Sequence, residues 1–207
     1  MKSGKEFRNE EVWRASFPCD GRWGISRVKK QELVEGPIEL VSYADTRTRD
    51  LDVNTRKGVH FFIDDPRFEG VYRNYERPMA KLSQYRFLLT PDNSIYADMK
   101  PWRQLRSVGE SRWCGAYWQS RGLTVYPTVS WGLPQTYEFC FSGIERHSTV
   151  AIATYACRAG KRLYLSGYRE MIRVLDPDHI ICLGEPFPEM REVDIVVNEH
   201  SARRTVR

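Results

Sequence analysis

From residue 59 onward the chain repeats one pattern: a short apolar run, then a longer amphipathic or polar stretch. The runs are VHFFI, RFLL, LTVYPTV, TVAIATY, HIICLG and EVDIVV, and an earlier IELVSY reads the same way. They are rich in β-branched and aromatic residues and nearly continuous in hydrophobicity, as expected of strands buried on both faces. The stretches between them have helical character, so consecutive strands are predicted to run parallel through right-handed crossovers. The strands beginning near residues 59, 86, 124, 150 and 180 should therefore be adjacent in one sheet. The fold class is α/β, a mostly parallel sheet with flanking helices. It is either doubly wound or an incomplete β/α barrel, because a full barrel takes about 250 residues and this chain has 207.

Residues 161–175 show the amphipathic period best. Leu163, Leu165, Tyr168, Ile172 and Leu175 gather mainly on one face and Lys161, Arg162, Arg169 and Arg173 cover the other. Asp176-Pro177 ends the helix, since proline cannot continue the ladder. In IDDPRFEG, Asp65 reads as an N-cap and Pro66 as the first helical residue. Residues 1–37 have no clear period and read as an irregular extension packed on the core through two tryptophans. Residues 38–200 form a single α/β domain. The end, SARRTVR, carries three arginines and reads as a flexible basic tail over 201–207. ADTRTRDLDVNTRKG reads as a mobile polar loop.

The composition excludes several classes. No apolar run approaches the ~18 residues of a membrane span, and MKSGKEFRNEEVWR lacks a signal core, so a cytoplasmic protein with no membrane partner is expected. The five cysteines are far apart with no C-x-x-C pair, which suits reduced thiols and not a disulfide framework. No H-E-x-x-H pattern marks a protein-only metal site, and no cofactor is required by any motif. Phosphate-loop, dinucleotide-binding and G-x-S-x-G signatures are also missing. The formal charge of +5 is compatible with a nucleic-acid partner and with many enzymes of neutral substrates. The oligomeric state is not legible.

In parallel α/β folds, ligands bind beyond the carboxyl ends of the strands. The residues there are Asp64 and Asp65; Thr90, Asp92 and Ser94; Thr128, Ser130 and Trp131; Thr154 and Tyr155; and Glu185. Carboxylates, hydroxyls and aromatics on one rim suit a flat polar ligand. Capping accounts for Asp65, which leaves Asp64 and Asp92 as the catalytic candidates. Asp92 is also a good turn former after Pro91. Ser94, Ser130, Trp131 and Tyr155 are the candidate substrate contacts. In MKPWRQLRSVGESRWCGAYWQSRG, most aromatics follow helical spacing and belong to the core, while Arg103 and Arg106 can share an exposed flank that meets phosphates.

Several stretches together resemble a known family. VHFFIDDPRFEGVY, LTPDNSIYADM, YWQSRGLTVYPTVSWG, SGIERHSTVAIATY and GYREMIRVLDPDHIICLGEPFPEM are similar to the bacterial and phage family catalogued as domain of unknown function 4417. The match runs from about His60 to Met190; Ser142 departs from the Asp expected before Gly-Ile. The resemblance implies a cytosolic α/β protein carried by phages and other mobile elements, and it supplies no catalytic residue. The rim and the basic charge point to a hydrolase acting on nucleic acid or nucleotides, at an N-glycosidic or phosphoester bond. In the N-glycosidic version Asp64 or Asp92 orients water or stabilises the cationic sugar, while Trp131 or Tyr155 stacks on the base. In the phosphoester version the two carboxylates hold Mg²⁺. The alternative is a non-catalytic module that binds nucleic acid or a host protein through Arg103, Arg106 and the arginine tail.

Overall fold

The computed structural model describes residues 3–155, 157–199, 202, 204 and 205. Its sheet is parallel and strictly sequential. Strands β3 (Leu40–Ser42), β4 (Gly58–His60), β5 (Phe87–Leu89) and β6 (Val125–Tyr126) pair in that order, and β7 (Thr149–Ala153), β8 (His179–Leu183) and β9 (Ile195–Val197) form a second parallel ladder. The expected single ladder is thus interrupted between β6 and β7, and the cause is Pro127. It has no N–H to donate, but its carbonyl accepts from Ala151 N at 2.9 Å while Val129 N donates back to Ala151 O at 2.8 Å. That one bridge carries the order β3 to β9 across the gap.

The strand residues of the two faces serve different layers. Leu40, Phe87, Leu89, Tyr126, Ile181 and Val197 belong to one inner cluster that draws on both outermost strands. Two other clusters lie between the strands and the helices α5 (Pro101–Ser120) and α7 (Lys161–Leu175). The chain beyond β9 returns to the far side of the sheet: His60 Nε2 at the end of β4, next to the edge strand β3, lies 3.4 Å from Ala202 O. The sheet therefore curls towards a barrel, with seven strands and the C-terminal segment in its open side. Burial at this seam holds the His60 imidazole down at about 4. Gly58 makes the tight β4–β5 approach feasible, since a Cβ there would lie 2.1 Å from the Phe87 ring.

Both chain ends differ from their sequence reading. The extension holds a helix, α1 (Gly4–Arg14), and an antiparallel hairpin of β1 (Cys19–Asp20) and β2 (Ile25–Ser26). Trp13 stacks on Tyr75 and meets Trp113 and Tyr117 edge-on, and Trp113 Nε1 donates to Arg14 O at 2.9 Å. α1 has no apolar stripe of its own, so nothing in its period announced it; its place depends on these rings. At the other end the expected free tail is tied down where it is described. Ala202 is buried, Arg204 pairs with Asp50 at 3.0 Å, and Thr205 N donates to Asn54 Oδ1 at 2.8 Å. Ser201, Arg203, Val206 and Arg207 fall outside the described residues. The same bonds anchor the loop before β4, where Asp50 and the short helix α2 (Asp52–Thr55) replace the mobile stretch expected.

All five cysteines are unpaired; Cys114, Cys140 and Cys182 are buried and Cys19 is exposed. No helix among the described residues is long and apolar enough to cross a membrane.

Candidate active site at the strand ends

Beyond Leu89 the chain enters a segment without turn structure, residues 91–96. TPDNS is thus an extended wall and not the turn its composition suggested. Its polar groups bond outward: Thr90 O accepts from Thr128 Oγ1 at 2.7 Å, and Thr90 Oγ1 accepts from Thr128 N at 2.9 Å. Asn93 Nδ2 donates to Ser107 O on α5 at 3.0 Å. Ser94 gives both its N–H and its hydroxyl to the Asp65 carboxylate, the latter at 2.8 Å.

None of these bonds reaches the Asp92 carboxylate, and the neighbouring Ser130 hydroxyl favours its charged form. Asp92, Ser94, Ser130, Trp131 and Tyr155 line a single cavity of about 300 Å³, together with Phe62, Tyr96 and Tyr164. Among the described residues, Asp92 is the one carboxylate that lines it, and no Lys or Arg does. Burial pushes this carboxyl up to about 7; the Asp65 charge adds to the rise, and the Ser130 hydroxyl and the Arg112 guanidinium oppose it. Arg112 lies below the cavity floor, buried, donating to Thr128 O at 2.8 Å and to Cys140 O at 3.0 Å. It is a fixed charge and not an open ligand contact.

The aromatic walls are locked from behind. Trp131 lies against Gly167 of α7, where a Cβ would meet the indole at 2.1 Å, and its ring centroid is 4.9 Å from that of Tyr164. The Tyr164 hydroxyl donates to Ala153 O at 3.0 Å, which leaves its face towards the cavity. Trp131 is thus both a core-capping residue and a wall of the site. Burial pushes the Tyr155 phenol up to about 12, with the charges of Asp92 and Asp64 adding to it, and lifts the Cys157 thiol to about 11. Neither is a ready nucleophile near neutral pH.

Asp64 and Asp65 exchange the places the sequence assigned them. Asp64 is the N-cap residue of the short 3₁₀ helix 65–67, makes no side-chain cap bond, and is exposed outside the cavity lining. Asp65 occupies the first helical position and points its carboxylate at Ser94. A one-residue shift of the cap decides which carboxylate reaches the neighbouring strand end. Glu185, the last rim candidate, is exposed and lies outside the lining as well.

Arg103 and Arg106 line a separate hollow of about 460 Å³ between α5 and α3 (Gly70–Arg73). Asn93 borders both spaces, and Asp65 forms part of the second. Tyr96 and Tyr164 are among the lining residues that were not candidates from the sequence. Tyr96 lies two residues past Ser94, whereas Tyr164 lies on the apolar side of α7 and shows no sign in the sequence of facing a cavity. Among the described residues, no three His, Cys, Asp or Glu side chains are grouped to hold a metal.

Comparison with known proteins places this sequence in a family. The chain is 36% identical over 189 residues to the Gene 1 protein of Mycobacterium phage L5, covering 86% of this chain and 82% of that protein. It is 35% identical over 174 residues to the Gene 1 protein of Mycobacterium phage D29, covering 83% of this chain and 64% of that longer relative. No solved structure matches. The model of the family described as Domain of unknown function (DUF4417) matches residues 17–201, so nearly the whole sheet and every cavity residue lie within it. This chain, with its phage relatives, belongs to the DUF4417 family.

Proposed function

We propose that the protein is a hydrolase of N-glycosidic bonds in nucleotides or nucleic acid, with Asp92 as its general acid–base. The observation that supports this most is a half-buried carboxyl group lining an aromatic-walled cavity, its pKa pushed up to about 7 by loss of hydration. A catalytic acid or base works best when its pKa lies near the working pH. The space of about 300 Å³ is at the lower end of small-ligand sites, room for a nucleobase and part of its sugar. Trp131, Tyr155 and Tyr164 offer faces for a flat ring.

In the reaction, water attacks the anomeric carbon and passes a proton to the Asp92 carboxylate. The carbon–nitrogen bond breaks and its electrons leave with the base; the base takes up, through solvent, the proton that Asp92 accepted, and the carboxylate is regenerated. Ser130 holds the carboxylate in place. Asp64 contributes charge from outside the cavity, not a direct contact. The phosphoester version has less support, because Asp64 and Asp92 do not line one space as a metal pair would need to.

The test is release of free base, followed chromatographically, from nucleosides, nucleotides and single-stranded DNA and RNA. Asp92→Asn should lower the rate by about 10²–10⁴-fold. Equal rates in parent and variant, or no base released by the parent from any substrate, would overturn the reading. The binding-module alternative draws on the exposed Trp102 and Arg103 beside the second hollow. For such a module, Asp92→Asn leaves nucleic-acid affinity unchanged and there is no turnover to lose.

A further inference from the structure

The cavity and the hollow beside α5 are neighbours that differ in chemistry. The three acidic groups described in the hollow are all engaged: Glu69 pairs with Arg73 at 2.7 Å, Glu110 with Arg106 at 2.7 Å, and Asp65 holds Ser94. Arg103 is exposed and makes no ion pair among the described residues, so it is the cation left to meet an anion. Trp102 beside it is 64% exposed and Tyr96, at the mouth of the cavity, is 61% exposed. These are large exposures for rings that could have been buried. Their siblings on α5, Trp113, Tyr117 and Trp118, all are.

An exposed arginine flanked by open aromatic faces is the combination that holds a nucleic-acid strand without reading its sequence, charge to phosphate and ring to base. The shared border at Asn93 gives the strand a route from one space to the other. We infer that the two spaces together bind a single-stranded polynucleotide. One base sits in the Asp92 cavity, a phosphate lies on Arg103, and a neighbouring base stacks on Trp102. This rests on the reading of Asp92 as the catalytic group and narrows its substrate: a linked strand is preferred to a free nucleoside. A duplex would have to open first, since a paired base cannot enter the cavity.

The experiment uses the full chain and a short fluorescein-labelled single-stranded oligodeoxynucleotide, with binding read by anisotropy over a range of salt concentrations. Arg103→Ala should weaken binding about tenfold and lower the salt slope by about one phosphate contact. Trp102→Ala should weaken it by a similar factor with the slope unchanged, as loss of one stacked base does. Both side chains are exposed, so thermal melting should stay at the parent value and separate binding loss from misfolding. An oligonucleotide that binds both variants as tightly as the parent, or does not bind the parent, overturns the inference.

The two readings fail separately. Base release from free nucleosides that ignores Arg103 and Trp102 would keep Asp92 catalytic and remove the strand. Strand binding that depends on both residues, without base release, would keep the strand and remove the hydrolase.

Discussion

Asp92 and Asp50 stand at opposite ends of the sheet, both largely out of water, with opposite acidities. Burial alone would raise both. At Asp50 that effect is outweighed by donors from Tyr85, Asn54, Arg204 and the Leu51 N–H, and the carboxyl is held at about 2. At Asp92 a single hydroxyl and a more distant guanidinium leave burial dominant, and the carboxyl is pushed up to about 7. The difference separates a fastening from a reactive group. A buried carboxylate supplied with several donors closes the seam between the C-terminal segment and the start of β4, and one left short of donors faces a cavity.

The contrast can be broken at either end. Asp50→Ala leaves Arg204 partly buried without its partner, and Tyr85 and Asn54 lose their acceptor. About 3 kcal/mol of stability should be lost, read from urea unfolding at neutral pH. The pH course has a definite sign. Asp50 is more acidic folded than unfolded, so its contribution is complete above about pH 4 and disappears as pH falls towards 2. Variant and parent should therefore converge in acid.

Gly167→Ala drives a methyl into Trp131 and tests whether the cavity wall depends on this close approach. A cost of about 1–3 kcal/mol is expected, with tryptophan fluorescence altered. An unchanged spectrum and stability would mean that Trp131 is not held as described.

Asp92→Asn should have the opposite sign to Asp50→Ala. A carboxyl whose folded pKa is raised makes the fold less stable as pH climbs from about 4 through 7, because the unfolded chain gives up the proton first. The amide removes that cost. The variant should be more stable than the parent at pH 8, by no more than the ~4 kcal/mol that a rise from about 4 to about 7 represents, and nearly equal to it near pH 4. A loss of stability at pH 8 would make Asp92 a structural residue like Asp50. The smallest effect is that of Ser130→Ala, which removes the donor to the ionised form. The midpoint for Asp92 should rise by about 0.7 pH, the equivalent of a 1 kcal/mol hydrogen bond.

How much of this was legible follows from the range of the interactions. Helix α7 and the parallel strands were, since their signals are periodic and local; Lys161–Leu175 matches the span read from its apolar face. Asp92, Ser94, Ser130, Trp131 and Tyr155 could be assembled because one rule, strand ends converge, was enough. Asp50 could not: its partners Tyr85 and Arg204 are 35 and 154 residues away, and a polar loop gives no hint that its aspartate is enclosed. The exchange of Asp64 and Asp65 was beyond reach for a smaller reason. Capping statistics locate a helix start to within a residue or two, and here one residue decides which carboxylate meets Ser94. The break at Pro127 was written in the sequence as YPTV, where proline forbids a ladder donor.

The most direct measurement is the titration of Asp92 itself, followed by carboxyl-carbon NMR in the intact protein and assigned by its disappearance in Asp92→Asn. A midpoint near 7 is predicted, shifting further upward in Ser130→Ala. A midpoint near the ordinary aspartate value of about 4 would mean that the carboxylate is hydrated at neutral pH, and would contradict its role as the acid–base of the site.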